Sequence, residues 1–156
     1  MLVHPVEITS QLRVELRGKR IGALDYGQKR IGFAVADELH ILATPRGFFL
    51  NGQLDVLKRE MQRTFDYERL GAVIVGMPFQ CDNSETPIMR EIQHFIAFLR
   101  TWCDLPIFVV DEAYSSQEAR AILMHTGARK KERSAKGRTD EVAAALILQE
   151  FLRELE

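Results

Sequence analysis

Three groups of acids stand where apolar runs give way to polar segments. They are Asp25 in Leu24-Asp-Tyr-Gly27, the neighbours Asp111 and Glu112 after Ile107-Phe-Val-Val110, and Asp140 in Thr139-Asp-Glu141. A few carboxylates, with waters and phosphate oxygens, are what holds a hard divalent cation such as Mg²⁺. An ion held in this way can promote in-line attack on a phosphodiester. Arg129, Lys130, Lys131, Arg133, Lys136 and Arg138 lead directly into Asp140 and are interrupted by a single acid, Glu132. Lys29 and Arg30 add positive charge in the turn after Asp25. Acids suited to a metal beside bases suited to phosphate point toward nuclease chemistry.

Each group also has a plainer explanation. Asp25 could satisfy the amides of its own turn. Asp111, Glu112 and Asp140 could simply favour helix starts, at about 0.3–1 kcal/mol each, and the basic run could be solvated surface. Side chains alternate along a strand, so one of Asp111 and Glu112 should face Asp25; Glu112 is the candidate and Asp111 the reserve. Ala143-Ala144-Ala145 would let the last helix lie close to a sheet, and Asp140 shares a helix face with Ala144. Glu141 lies about 100° further round the helix and is expected in solvent.

The positioning elements follow from periodicity and turn residues. Strands are predicted at Arg20–Leu24 and Arg30–Ala36, joined by a turn in which Gly27 is free to take positive φ. A third strand over Ile41–Leu50 contains Pro45, which suits a sheet edge. Apolar residues at 54, 57, 61 and 65 predict an amphipathic helix over Leu54–Tyr67. Ala72–Val75 and Ile107–Val110 read as strands covered on both faces. Between them a helix carries Ile88, Ile92, Phe95, Ile96 and Leu99, with Ser84 as candidate cap. Ser115-Ser-Gln-Glu118 has the pattern of a capping box, opening a helix that Gly127 would close. The last helix is expected from near Thr139. Antiparallel strands followed by alternating helix and strand imply a mixed sheet with helices packed on it.

Bulk properties narrow the class. A chain of 156 residues is most simply one domain, burying roughly two-thirds of its unfolded surface. With a net charge of −1, affinity for nucleic acid must come from local clustering. Cys81 and Cys103 lack metal-ligand spacing, and the four histidines are scattered, which argues against zinc. Cys81, in the Gly76–Ser84 loop, has no evident base nearby and reads as structural. Trp102, Phe95 and Phe98 read as packing. No apolar run approaches the ~20 residues of a spanning helix, and the N-terminus lacks the features of a signal peptide. The expectation is a cytoplasmic protein without membrane contact.

Taken together, these motifs resemble the YqgF/RuvX-type family of Holliday junction resolvases within the ribonuclease H-like superfamily, over roughly residues 19–154. Asp25-Tyr-Gly-Gln-Lys-Arg-Ile-Gly-Phe-Ala-Val-Ala-Asp37 is similar to the family's D-x-G-x-x-R-I-G-x-A-x-x-D hairpin. Val75-Gly-Met-Pro78 with Asp82-Asn-Ser84 resembles its G-x-P loop and D-G-S, Asp111-Glu112 its D-E-R, and Asp140 with Ala143-Ala144 its D-x-x-A-A. Ala113 stands where the family has arginine after D-E, removing a cation that could contact phosphate. Asn83 replaces a glycine and tolerates left-handed backbone.

The resemblance implies a ribonuclease H-like α/β fold. Its mixed five-stranded sheet has antiparallel hairpin strands first, then parallel strands, with helices on both faces. One domain would span residues 1–156, with an N-terminal arm over 1–18 and a basic loop over 128–138. The resemblance also implies a triad of Asp25, Glu112 and Asp140 binding Mg²⁺ or Mn²⁺. The implied work is maturation of the 5′ end of pre-16S ribosomal RNA or cutting of branched DNA, by a monomer or homodimer. Two alternatives stay open. One is a non-catalytic RNA-binding ribosome-assembly factor on the same fold, which Ala113 favours. The other is an ATP-binding domain of the actin and sugar-kinase type, which would need a second aspartate–glycine hairpin that this chain lacks.

Overall fold

The computed structural model describes residues 3–112 and 136–156. Its five strands are β1 (Arg20–Asp25), β2 (Arg30–Ala36), β3 (Ala43–Leu50), β4 (Leu70–Met77) and β5 (Ile107–Asp111). They form one sheet in the order β3-β2-β1-β4-β5. β2 lies antiparallel to both β1 and β3, while β4 runs parallel to both β1 and β5. Four helices are described: α1 (Ser10–Leu16), α2 (Leu54–Glu68), α3 (Pro87–Arg100) and α4 (Lys136–Leu155).

Alternation along the strands divides the core in two. Leu24, Phe33, Val35, Val73, Val75 and Val109 pack with Leu57, Met61 and Phe65 of α2 and Ile92, Phe95 and Leu99 of α3. Phe95, Phe98 and Trp102 contribute ring contacts to this layer, with Phe98 and Trp102 edge to face at 6.0 Å. On the opposite face Ile21, Ala23, Ala34, Ala36, Ala72, Ile74 and Val110 meet Leu12 and Leu16 of α1 and Ala144, Ile147, Leu148 and Phe151 of α4. The side chains beneath α4 are thus mostly small. A helix can lie closer to such a face than to one built of large residues.

Thr9 caps α1, its hydroxyl accepting from the Leu12 amide at 3.1 Å. The Val6 amide donates to the Val109 carbonyl at 2.8 Å, so the arm runs beside β5. Arg13 Nε donates to the Leu155 carbonyl at 3.1 Å and ties the arm to the end of α4. β3, with Pro45, is the opposite edge of the sheet, as expected.

Several boundaries differ from the sequence expectation. α3 is capped by Thr86, whose hydroxyl accepts from the Met89 amide at 3.3 Å, rather than by Ser84. Pro87 explains the shift, because its fixed φ suits the first helical position. Ser84 instead donates its amide to the Asp82 carboxylate at 2.9 Å, in a turn of its own. β4 runs beyond Ala72–Val75 because parallel partners pair with it from Leu70 to Met77. α4 starts at Lys136, before Thr139, so Lys136 and Arg138 belong to the helix and not to a loop. The helix expected over Ser115–Gly127, Ala113, and the basic residues Arg129, Lys130, Lys131 and Arg133 lie outside the described residues.

Candidate metal centre at the carboxyl ends of the strands

β1 and β5 reach the same end of the sheet, and their alternation decides which acids meet. Asp25 continues the Ile21, Ala23 series toward α4, and Glu112 continues the Phe108, Val110 series toward the same helix. The Glu112 amide donates to the Met77 carbonyl at 3.1 Å, extending the β4–β5 ladder by one residue. Asp111 falls in the other series, is exposed, and borders a cavity on the α3 side of the sheet.

Two glycines make room for this arrangement. A Cβ on Gly76 would lie 2.7 Å from Glu112 Oε2 and 2.8 Å from Ile147 Cδ1, so only a bare backbone admits the Glu112 side chain beneath α4. A Cβ on Gly32 would collide with the Asp140 carbonyl. That close approach seats the start of α4 directly on β2. Neither glycine stood out in the sequence as a site residue. The readable signal is that both fall in the small-residue series of their strands.

Burial pushes the Asp25 carboxyl up to about 6; a hydrogen bond with Glu112 opposes the rise, and the charge of Asp140 adds to it. Glu112 is pushed up to about 9, first by burial, then by the charge of Asp25, their hydrogen bond, and Asp111. Burial and mutual repulsion thus raise both carboxyls and favour a single proton held between them, because two like charges in contact away from water do not both ionise readily. Glu112 Oε2 is withdrawn from solvent and has no hydrogen-bond partner among the described residues. A buried carboxyl pair with an unsatisfied oxygen has the donor chemistry of a site for a hard divalent cation.

Asp140 lies on the same side of the sheet and is near enough to raise Asp25. Its Oδ2 is 3.4 Å from Arg30 Nε. Among the described residues no three potential ligands converge tightly enough to enclose an ion. Asp25 and Glu112 are brought together, and Asp140 stands beside them, held by Arg30. The hairpin turn between β1 and β2 is fixed by Asn51, which donates its amide to Gly27 O at 2.8 Å and its backbone N–H to Lys29 O at 2.9 Å. Among the described residues the glycines with positive φ are Gly18 and Gly47, so Gly27 does not use the conformation expected of it. Glycine is required there because a Cβ would sit 2.5 Å from Arg30 O. Glu141, expected in solvent, accepts from the Gly47 amide at 2.5 Å and links α4 to β3. Cys81 is an exposed free thiol and Cys103 a partly buried one.

Comparison with known proteins agrees with this architecture. The family model RuvX, described as Holliday junction resolvase, matches residues 19–154. A protein of Chlorobium luteolum named "Putative pre-16S rRNA nuclease" is 38% identical over 136 residues, covering 86% of this chain and 94% of its own. One of the same name from Chlorobaculum tepidum is 39% identical over 135 residues, covering 86% and 93%. The fowlpox virus resolvase in complex with Holliday junction DNA superposes with a TM-score of 0.54 at 12% identity, covering 87% of this chain and 98% of that one. Thermus thermophilus RuvC with a Holliday junction substrate gives 0.52 at 14% identity, covering 83% and 91%. At such identities these two speak for the fold alone, and that fold is ribonuclease H-like. By its family match and its relatives, the chain belongs to the RuvX family of Holliday junction resolvase-like nucleases.

Proposed function

We propose that this protein is a divalent-metal-dependent nuclease whose Asp25, Glu112 and Asp140 hold Mg²⁺ or Mn²⁺ and hydrolyse phosphodiester bonds. The observation that carries the reading is the Asp25–Glu112 carboxyl pair, with Glu112 Oε2 buried beneath α4 and without a hydrogen-bond partner among the described residues. A divalent cation bound there would supply Lewis acidity toward a scissile phosphate. Asp25 and Glu112 would hold that cation as carboxylates, releasing to solvent any proton held between them, and the gap at Gly76 admits the Glu112 side chain beneath α4. Arg30 holds Asp140 beside the pair and presents a guanidinium that can pass to a phosphate oxygen. Arg129, Lys130, Lys131, Arg133, Lys136 and Arg138 are proposed to neutralise further phosphates, giving binding a marked salt dependence.

The substrate we propose is precursor 16S ribosomal RNA, following the names of the relatives, with branched DNA as the alternative. The test presents purified protein with precursor RNA and with four-way junction DNA, with and without Mn²⁺, and maps the product ends. Asp25→Asn should retain fold and nucleic-acid binding and lose cleavage. Undiminished cleavage by that variant removes Asp25 from the mechanism. Ala113, which replaces the family's arginine, favours a second reading as a non-catalytic RNA-binding assembly factor. Wild-type binding without any metal-dependent turnover would select it.

A further inference from the structure

Behind the carboxylate pair, on the α3 side of the sheet, lies a cavity of about 580 Å³. It falls within the range of small-molecule sites. Asp111 borders it, while the next residue, Glu112, faces α4. The cavity and the candidate metal centre are thus on opposite faces of the same strand end. One wall is the N-terminal arm at Val3 and Pro5, which precedes the segment matched by the family. The arm is held in place by the bond from Val6 to Val109.

We propose that this cavity is a nucleobase subsite that takes an unpaired purine, with guanine preferred, from the strand being cleaved. The inference rests on the nuclease reading and deepens it by naming what that site selects. Its chemistry is amphipathic. Phe79 and Met89 supply an apolar wall, and base rings stack on aromatic side chains in single-stranded recognition. The side-chain amides of Gln80, Asn83 and Gln93 supply donors and acceptors at the rim. Two of these residues sit on a fixed turn, in which the Asn83 backbone N–H donates to Gln80 O at 3.1 Å, with Asn83 at φ 61°. The rim also carries the imidazole of His4 and the carboxylates of Asp111 and Glu85, the last accepting from Gln93 Nε2 at 3.5 Å. Amide and carboxylate oxygens on one rim favour a ring rich in N–H groups, and guanine, with its imino and amino N–H, meets that requirement better than uracil.

The geometry also explains why the subsite would act on choice of cut. A strand that crosses the end of the sheet from a phosphate over Asp25 and Glu112 toward the α3 side would pass the rim at Asp111. A base turned out of the stack there costs a few kcal/mol when paired and less when already single-stranded. Unpaired purines next to the cut are therefore the natural occupants.

The test uses the full-length ¹⁵N-labelled protein titrated with guanosine, uridine and ribose 5-phosphate. Guanosine should shift the side-chain amides of Gln80, Asn83 and Gln93 and bind at least about 10-fold tighter than uridine, on the scale of a single well-made base contact. Ribose 5-phosphate should leave those signals in place. Gln93→Ala, a partly exposed position on α3, should weaken guanosine at least about 3-fold with an unchanged circular dichroism spectrum. It should also flatten any purine preference in the mapped cuts. Equal shifts from ribose 5-phosphate, equal affinity for uridine, or shifts centred on the Arg30 side of the sheet would overturn the proposal. Guanosine binding needs no turnover, so an Asp25→Asn protein serves equally well. Loss of the nuclease reading and loss of the subsite therefore give different results.

Discussion

Glu112→Gln should reverse the usual expectation that removing an active-site acid costs stability. In the metal-free protein burial and Asp25 push Glu112 up to about 9 from the ordinary 4.5 of a glutamate, so the pair holds a proton through neutral pH. Between pH 6 and 8 the unfolded chain has released that proton and the native chain has not. Stability contributed by this group is therefore complete below the ordinary value and is lost as pH rises toward 9. One proton retained over two pH units amounts to at most about 3 kcal/mol. Water reaching the partly open strand ends reduces this to about 1–2 kcal/mol. Asp25, raised to about 6 by the same burial, contributes in the same direction at the lower end of the window. Glutamine preserves the shape and cannot titrate, so the variant lacks the Glu112 component of the slope. For a domain of this size, 1–2 kcal/mol moves the melting temperature by about 2–8 °C. Thermal unfolding of metal-free wild type and Glu112→Gln, measured at pH 6 and pH 8, should show wild type losing that much more than the variant. Saturating Mg²⁺ or Mn²⁺ should close the gap. Parallel melting curves at the two pH values would refute the shared proton and the fit to a cation derived from it.

Titrating Mn²⁺ at pH 7 in buffers of different protonation enthalpy should report release of about one proton per ion, since ligating carboxylates bind deprotonated; calorimetric heats independent of the buffer would contradict it. Gly76→Ala should cost about 1–3 kcal/mol by overpacking and weaken Mn²⁺ binding at least about 10-fold, because the new methyl would lie 2.7 Å from Glu112 Oε2. Gly52→Ala, with nothing within 4 Å, is the control for both measurements, and matching behaviour of the two variants would remove Gly76 from the site.

The parts legible in advance were those governed by short-range periodicity. The β1–β2 hairpin, the amphipathic α2 and the apolar β4 and β5 segments follow from spacing within a dozen residues, and Pro45 marks an edge strand. Strand alternation also sent Asp111 and Glu112 to opposite faces. What stayed hidden depends on residues distant in the chain meeting. Gly76 needs its place beneath Ile147 and beside Glu112, and Gly32 its contact with Asp140, before either is more than a small residue in a strand. The salt bridge from Arg30 to Asp140 spans 110 positions, and the Glu141–Gly47 bond spans 94. Gly27 was read for its φ when the crowding of Arg30 O is what excludes a side chain. The cap of α3 moved to Thr86 because Pro87 and the Asp82–Ser84 turn together outweigh serine's own preference.

The two margins of the sheet are finished differently, and this bears on how copies of the chain behave when crowded together. A bare strand edge is a template for another chain's backbone. Along β5 the arm occupies one such position through Val6, so a foreign strand would first have to peel the protein's own N-terminal stretch away. Along β3 the protection is built in. Pro45 has no N–H to offer, and Gly47, at φ 90°, bends the line of the backbone. Phe48 and Leu50 nevertheless remain open to water on this side. Unwanted self-association, when it occurs, should begin at β3, and a lysine at Leu50 is the simplest way to discourage it.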